Sequence, residues 1–109
     1  MRLSSPAFEA GERIPVRFTC DGENVNPPLL IEDLPRLTRS LVLILDDPDS
    51  PQGDFVHWVV YNMPVMARVK EDSVPGLQGL NSFGTASYGG PCPGRGVHRY
   101  VFRVYALDD

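Results

Sequence analysis

The stretch SLVLILDDPDSPQGDFVHWVVYN, residues 40–62, decides the fold of this 109-residue chain. Residues 40–45 form a continuous apolar run, which is typical of a central strand covered on both faces. Residues 55–62 form a second strand, and the following Met63-Pro64 ends it because proline cannot donate to a sheet ladder. Aspartate and proline fill residues 46–51, and both residue types favour turns. The stretch therefore predicts two strands separated by a polar turn.

Two more strands are predicted outside this stretch. Residues 13–20 alternate, with Ile14, Val16, Phe18 and Cys20 on one face. Residues 98–107 alternate as the last strand, with His98, Tyr100, Phe102, Val104 and Ala106 on one face. Residues 65–90 have no clean period and are expected to be mostly loop. Since no segment shows a helical stripe, we expect an all-β fold with little helix, an antiparallel β-sandwich with Greek-key connections.

Composition limits the domain organisation and the classes of partner. The length allows a single domain, residues 1–109. The formal net charge of −4 and the absence of a basic stripe argue against nucleic acid as the main partner. No apolar run approaches the roughly 20 residues of a membrane-spanning helix. Residues 1–6 lack the apolar core of a secretory signal, so we expect a cytoplasmic protein.

The cysteines and acidic residues predict neither a metal nor a cofactor. Cys20 and Cys92 lie outside any zinc-type cluster, and the acidic stretch 46–51 lacks the ligand spacing of a calcium loop. Nothing in the sequence places the two cysteines close together, so we expect free thiols, with a disulfide as the open alternative.

A glycine- and proline-rich segment, residues 88–100, leads to His98 and Tyr100 at the start of the last strand. Glycine lets a backbone come close to a ligand, proline stiffens the loop, and imidazole can bind an anion. The only other histidine, His57, follows the acidic stretch, which suggests a shared site. Simpler readings stay open: His57 as a satisfied core residue, the acidic stretch as a turn, and His98 bonded to a backbone carbonyl.

Five segments, taken in order, resemble the phosphatidylethanolamine-binding protein family, also called the Raf kinase inhibitor protein family, and its bacterial and archaeal branch in particular. They are FTCDGENVNPPL at 18–29, DPDSP at 47–51, FVHWVVYNMP at 55–64, NSFG at 81–84 and GPCPGRGVHRY at 90–100. The resemblance covers nearly the whole chain. It departs at Gly94, where the family has proline, and after Leu107, where family members continue with a helical segment and a short strand.

The resemblance implies a pocket for phosphate, phosphoryl head groups or similar small anions near the edge of a central antiparallel sheet. Carried over by position, the ligand-binding residues are Asp47, His57, Gly90, Pro91, His98 and Tyr100, with Asp49 nearby. Histidine rings and loop amides would donate to the anion, and Asp47 could hold an imidazole. Because the C-terminal helical element is absent, the chain is expected to be a short domain, whether as a fragment, a naturally short member or one part of a divided chain.

We therefore expect a non-enzymatic binding protein with a small-anion pocket that acts as an inhibitor or regulator of a kinase or protease. One alternative is a serine protease inhibitor that presents residues 65–79 as a surface loop. A lesser alternative is a hydrolase that uses the His/Asp pocket, although no candidate nucleophile is evident. Exposed sheet edges leave homodimerisation open.

Overall fold

The computed structural model describes residues 1–51, 53–92 and 99–109. Seven strands and one short 3₁₀ helix make up the regular structure of these residues. In chain order they are β1 (Arg2–Ser4), the 3₁₀ helix (Val16–Phe18), β2 (Leu29–Glu32), β3 (Ser40–Asp47), β4 (Phe55–Met63), β5 (Arg68–Val69), β6 (Leu77–Gln78) and β7 (Val101–Leu107). The expected all-β class is confirmed. None of the helices in the described residues has the length and apolar character needed to cross a membrane.

The strands form two antiparallel sheets, one of order β1-β2-β5 and one of order β6-β4-β3-β7. The chain passes from one sheet to the other three times, between β2 and β3, between β4 and β5, and between β5 and β6. The neighbouring strands β3–β7 and β4–β6 are joined by long connections, as in a Greek key. Apolar side chains from both sheets form one core. Its buried members are Leu29, Ile31, Leu41, Leu43, Leu45, Trp58, Val60, Met63 and Val69.

Strands β3 and β4 occupy the centre of the larger sheet, as the apolar run predicted. On β3 the buried Leu41, Leu43 and Leu45 alternate with residues of intermediate exposure. One face of the strand is therefore fully buried and the other only partly, whereas burial of both faces was expected. The indole of Trp58 is fully buried, and its Nε1–H donates to Gln78 Oε1 at 2.8 Å. This bond supplies the partner that a buried indole needs.

The pairing of β4 with β3 contains a bulge at His57. Leu45 lies opposite Trp58 and Asp46 lies opposite Val56, so His57 has no residue opposite it on β3. Bulges bend a strand and turn a side chain out of the regular pleat, and they are common beside binding sites. The bulge is the local reason why His57 and Trp58, consecutive residues, are both buried.

The prediction of a strand at residues 13–20 is wrong. Pro15 lies in the middle of that stretch and cannot donate to a ladder, and the chain instead turns into the 3₁₀ helix that follows it. Phe18 is buried as expected, but Val16 of the same predicted face is 62% exposed. Strands β1 and β2 were not predicted, and the expected loop 65–90 also contains β5 and β6, each of two residues.

Candidate functional site

His57 is held in one orientation by a loop that follows the long connection after β4. Its Nδ1 lies 2.7 Å from the carbonyl oxygen of Gly89, and the Gly89 amide donates back to the His57 carbonyl at 3.0 Å. A carbonyl only accepts, so Nδ1 carries the proton in the neutral ring and Nε2 is then an acceptor. An anion can bind Nε2 only when the ring is protonated.

Burial lowers the pKa of His57, and this effect is opposed by the Gly89 carbonyl and by the negative charge of Asp47. Aromatic rings enclose the imidazole: the centroids of Phe55, Phe83 and Tyr100 lie 4.9, 5.6 and 5.7 Å from its own. Desolvation by such a surrounding disfavours the charged ring, while a nearby negative charge favours it. A bound anion would therefore raise the pKa of His57.

Asp47, at the end of β3, and Tyr100, just before β7, complete this group of predicted residues. The Asp47 carboxylate is buried, and its Oδ1 accepts the Asp49 amide at 2.9 Å, which forms the turn after β3. Burial and, to a smaller extent, Asp47 raise the pKa of the Tyr100 phenol. The phenol therefore stays a neutral donor around neutral pH, which suits an anionic ligand.

The loop of residues 88–92, which we call the pocket loop, lies too close to the chain around Phe18 for any side chain at Gly90. A Cβ on Gly90 would lie 2.4 Å from both the Phe18 carbonyl oxygen and Asn24 Oδ1. The Gly90 amide donates to Asn24 Oδ1 at 2.8 Å. The expectation that loop amides donate to the anion is therefore wrong for Gly90, because this amide already has a partner inside the protein.

Residues 16–24, which we call the anchor segment, hold the rest of the pocket loop. The Tyr88 hydroxyl donates to the Phe18 carbonyl at 2.6 Å, and the Cys20 amide donates to the carbonyl of the buried Pro91 at 3.0 Å. Burial raises the pKa of the Tyr88 phenol, so this donor does not ionise near neutral pH. Gly90 and Pro91 thus shape the loop through backbone geometry.

Cys20 and Cys92 form a disulfide that joins the anchor segment to the pocket loop, with Cα atoms 5.2 Å apart and a sequence separation of 72. The expected free thiols are therefore wrong. Their proximity depends on the turn after Pro15, which folds Cys20 back against Pro91, and no local pattern predicts such a non-local approach.

Asp49 is engaged by Arg99. Its carboxylate accepts the Arg99 amide at 2.8 Å and the guanidinium Nη2 at 2.9 Å. The neighbouring Asp46 is buried and pairs with Arg103 at 3.3 Å. Hydrogen bonding to Asp46 raises the pKa of the exposed Asp54. The Asp49–Arg99 contacts tie the turn after β3 to the residues just before β7, and the Asp46–Arg103 pair joins β3 to β7 itself.

Two asparagines that build the site were not predicted as members of it. Asn24 has a positive φ of 60°, a conformation that asparagine tolerates, and this backbone places its amide oxygen against Gly90. Asn81 is buried; its Oδ1 accepts the Phe83 and Thr85 amides, and its Nδ2 donates to the Ser87 carbonyl. The only sequence signal for either asparagine was its position inside a family-like segment.

A groove of about 250 Å³ borders the pocket loop. The described residues that line it are Cys20, Asn24, Phe83, Thr85, Ser87, Tyr88, Gly89, Gly90 and Cys92. Of the predicted site residues that the structure describes, only Gly90 lines this groove. No group of three or more His, Cys, Asp or Glu side chains in the described part of the chain could hold a metal ion.

The structure thus groups Asp47, His57 and Tyr100, with Gly90 and Pro91 forming the loop that holds His57. Asp49 lies close by in sequence but is engaged by Arg99. His98, the other predicted histidine, lies outside the described residues. What the grouped residues offer chemically is one buried imidazole, one phenol and one carboxylate around a bulge in the central sheet.

The comparison with curated relatives covers most of the chain. A UPF0098 protein of Methanothermobacter thermautotrophicus is 48% identical over 116 residues, which span 99% of this chain and 77% of the relative. A UPF0098 protein of Aquifex aeolicus is 49% identical, spanning 98% of this chain and 68% of the relative. Their names state no activity.

Two solved structures share the fold. A protein of Chlamydia trachomatis described as a phosphatidylethanolamine-binding protein homologue superposes with a TM-score of 0.93 at 43% identity, over 98% of this chain and 74% of that one. YbcL of Escherichia coli superposes with a TM-score of 0.90 at 30% identity, over 99% and 77%. The family model described as phosphatidylethanolamine-binding protein matches residues 4–109. The chain therefore belongs to the phosphatidylethanolamine-binding protein family.

Proposed function

We propose that this protein binds small anions, phosphate or a phosphoryl head group, and catalyses no reaction on them. The observation that carries the proposal is the orientation of His57. Its Nδ1 is bonded to the Gly89 carbonyl, so Nε2 becomes a charged donor once the ring is protonated. The Tyr100 ring lies beside the imidazole and supplies a second donor. A pocket of this kind gains affinity as pH falls through the pKa of His57.

The same contact argues against the hydrolase alternative. In a Ser-His-Asp arrangement a carboxylate orients the histidine by accepting its Nδ1–H. Here that proton is directed at the Gly89 carbonyl, 2.7 Å away. We therefore propose a non-enzymatic protein, and the absence of turnover of a generic phosphate ester, such as p-nitrophenyl phosphate, is the corresponding test.

Calorimetric titration with sulfate tests the pocket, because sulfate keeps its charge over the range in which histidine titrates. We expect saturable binding that is weakened roughly ten- to a hundredfold by His57→Gln, the effect of losing a charge-assisted hydrogen bond. The matched control is Arg36→Gln, which removes an exposed positive charge far along the chain from His57. Equal losses of sulfate affinity in both variants would mean that this affinity depends only on the net charge of the protein.

Phosphate and phosphoethanolamine, titrated next at one fixed pH, separate a simple anion site from a head-group site. Tighter binding of phosphoethanolamine than of phosphate would indicate contacts to the ammonium end. Binding of both with equal affinity would assign the site to the phosphoryl group alone.

Inhibition or regulation of a kinase or a serine protease is the second proposal, and exposed apolar side chains of the 65–79 region support it. Val65 and Val74 are 50% and 66% exposed, and Leu77 on the edge strand β6 is 53% exposed. Asn26, however, fastens the region: its Nδ2 donates to the Lys70 carbonyl and its Oδ1 accepts the Ser73 amide. Inhibition assays against a panel of serine proteases, with Val74→Asp as the disabling variant, test this role.

Location and oligomeric state stay predictions. Disulfides persist mainly in oxidising compartments, so the Cys20–Cys92 bond makes the expected cytoplasmic location worth testing by thiol labelling in intact cells. Strand β7 is an edge of the larger sheet and could pair with a second copy, which light scattering would detect.

A further inference from the structure

The pocket loop has one covalent tie to the anchor segment. Three hydrogen bonds, from Tyr88, Gly90 and Cys20, also join the two segments, and the Cys20–Cys92 disulfide closes the connection. The loop residue between Tyr88 and Gly90 is Gly89, whose carbonyl orients His57. The disulfide therefore fastens the same short loop that positions the imidazole.

Both cysteines of the disulfide are exposed. Cys20 and Cys92 lie at the surface and line the groove beside the pocket loop. Disulfide exchange requires that a thiolate reach one sulfur along the S–S direction, so burial normally protects a structural disulfide. A small dithiol can approach this one without prior unfolding of the core, because both cysteines are exposed and the central core cluster lies on β2 to β5. The joined segments add the buried Phe18 and Tyr88, which packs against that cluster.

We propose that the Cys20–Cys92 disulfide is a redox switch of the anion pocket: the oxidised protein holds His57 ready for an anion, and reduction weakens anion binding. The inference rests on the proposed function, since it names the regulation of that same pocket. The physical reason is preorganisation. When the loop is held in place before binding, less ordering is needed as the anion arrives.

The reaction is an ordinary exchange with a dithiol reductant. A thiolate of the reductant attacks one cysteine sulfur, forms a mixed disulfide and releases the other cysteine as a thiolate, which takes up a proton. The second thiol of the reductant then displaces the first cysteine, which is protonated in turn. Two electrons pass to the protein, Cys20 and Cys92 become thiols, and the dithiol becomes a disulfide.

After reduction three hydrogen bonds remain between the loop and the anchor segment. Two of them are donated by backbone amides in or near the disulfide, that of Cys20 itself and that of Gly90, two residues before Cys92. We expect these bonds to open more often, and the Gly89 carbonyl to hold the His57 ring less firmly. The expected loss of sulfate affinity is roughly tenfold, which corresponds to losing about one hydrogen bond between His57 and the anion.

The test compares sulfate affinity before and after reduction with dithiothreitol, which is uncharged and does not compete for the pocket. Reoxidation should restore the affinity. The variant C20S/C92S should bind sulfate as weakly as the reduced protein and should not respond to dithiothreitol, which controls for other effects of the reagent. Trp58 fluorescence checks that the core stays folded; unfolding of the whole domain on reduction would overturn a local switch.

Hydrogen exchange of the Gly90 amide, measured without any anion, separates this inference from the proposed function. Faster Gly90 exchange together with weaker sulfate binding in the reduced protein supports the switch. Equal sulfate affinity in both redox states overturns it. If the oxidised protein binds no sulfate, the proposed function fails and the switch fails with it, while Gly90 exchange still reports whether the disulfide holds the loop.

Discussion

Gly90→Ala tests the close approach of the pocket loop and the anchor segment. The added Cβ would lie 2.4 Å from the Phe18 carbonyl oxygen and 2.4 Å from Asn24 Oδ1. The side chain of Asn24 can move, but the Phe18 carbonyl is backbone that also accepts the Tyr88 hydroxyl. One segment must therefore shift, which breaks contacts that hold the loop.

The expected cost is at the upper end of the overpacking range, about 3 kcal/mol of unfolding free energy. For a domain of this size that corresponds to a fall of roughly 12–24 °C in Tm. The matched control is Gly79→Ala, where the nearest heavy atom, Val59 Cγ1, lies at 3.4 Å, an ordinary contact. Gly79→Ala should leave stability unchanged or raise it by about 0.4–1 kcal/mol by restricting the unfolded chain.

Urea unfolding monitored by Trp58 fluorescence measures both variants. A third variant, Asn24→Gly with Gly90→Ala, removes one of the two close atoms and leaves the Phe18 carbonyl. We expect it to remain at least about 2 kcal/mol less stable than Asn24→Gly alone. If Gly90→Ala and Gly79→Ala unfold at the same urea concentration, the pocket loop does not lie against the anchor segment.

Three further predictions concern the core, the ion pair and pH. Leu43 is fully buried, so Leu43→Ala should lower the free energy of unfolding by about 2–5 kcal/mol, as measured by urea unfolding. Leu37 is 75% exposed, so the control Leu37→Ala should change this free energy by less than about 0.5 kcal/mol. Asp49→Asn should cost less than about 1 kcal/mol, and less still at high salt, because its partner Arg99 has a 74% exposed side chain; a loss that salt leaves unchanged would contradict this. Because burial lowers the pKa of His57, this histidine binds a proton more readily in the unfolded protein than in the folded protein. Its contribution to folding stability is therefore full above about pH 6.5 and declines as pH falls below that value. His57→Gln should flatten this decline in the urea midpoint, and an unchanged dependence on pH would mean that the pKa of His57 is not lowered by folding.

The central strands could be predicted because their signal is local. The apolar run at residues 40–45 and the alternation in 98–107 correspond to β3 and β7, and β3 continues two residues beyond the run, to Asp47. The stretch 13–20 also alternates, yet Pro15 outweighs that pattern. Strands as short as β5 and β6 carry no periodic signal, since two residues cannot define one, and they form because long strands lie beside them.

The candidate site, like the fold, could be predicted only in part. The types of Asp47, His57 and Tyr100 and their positions in family-like segments sufficed to predict them together, and the structure groups them. The bulge at His57, the disulfide and the Asn24–Gly90 bond could not be predicted from periodicity, because each depends on contacts between segments distant in sequence. Those contacts surround the loop whose Gly89 carbonyl lies 2.7 Å from Nδ1 of His57.

The most direct test of the anion pocket is nitrogen NMR of the His57 ring during a sulfate titration, with the signal assigned by its loss in His57→Gln. In the free protein at neutral pH, we expect a neutral ring protonated on Nδ1. Saturating sulfate should shift Nε2 towards the protonated form and raise the pKa of His57. A His57 ring that keeps its tautomer and its pKa at saturating sulfate, in a folded protein, would show that sulfate does not bind at His57.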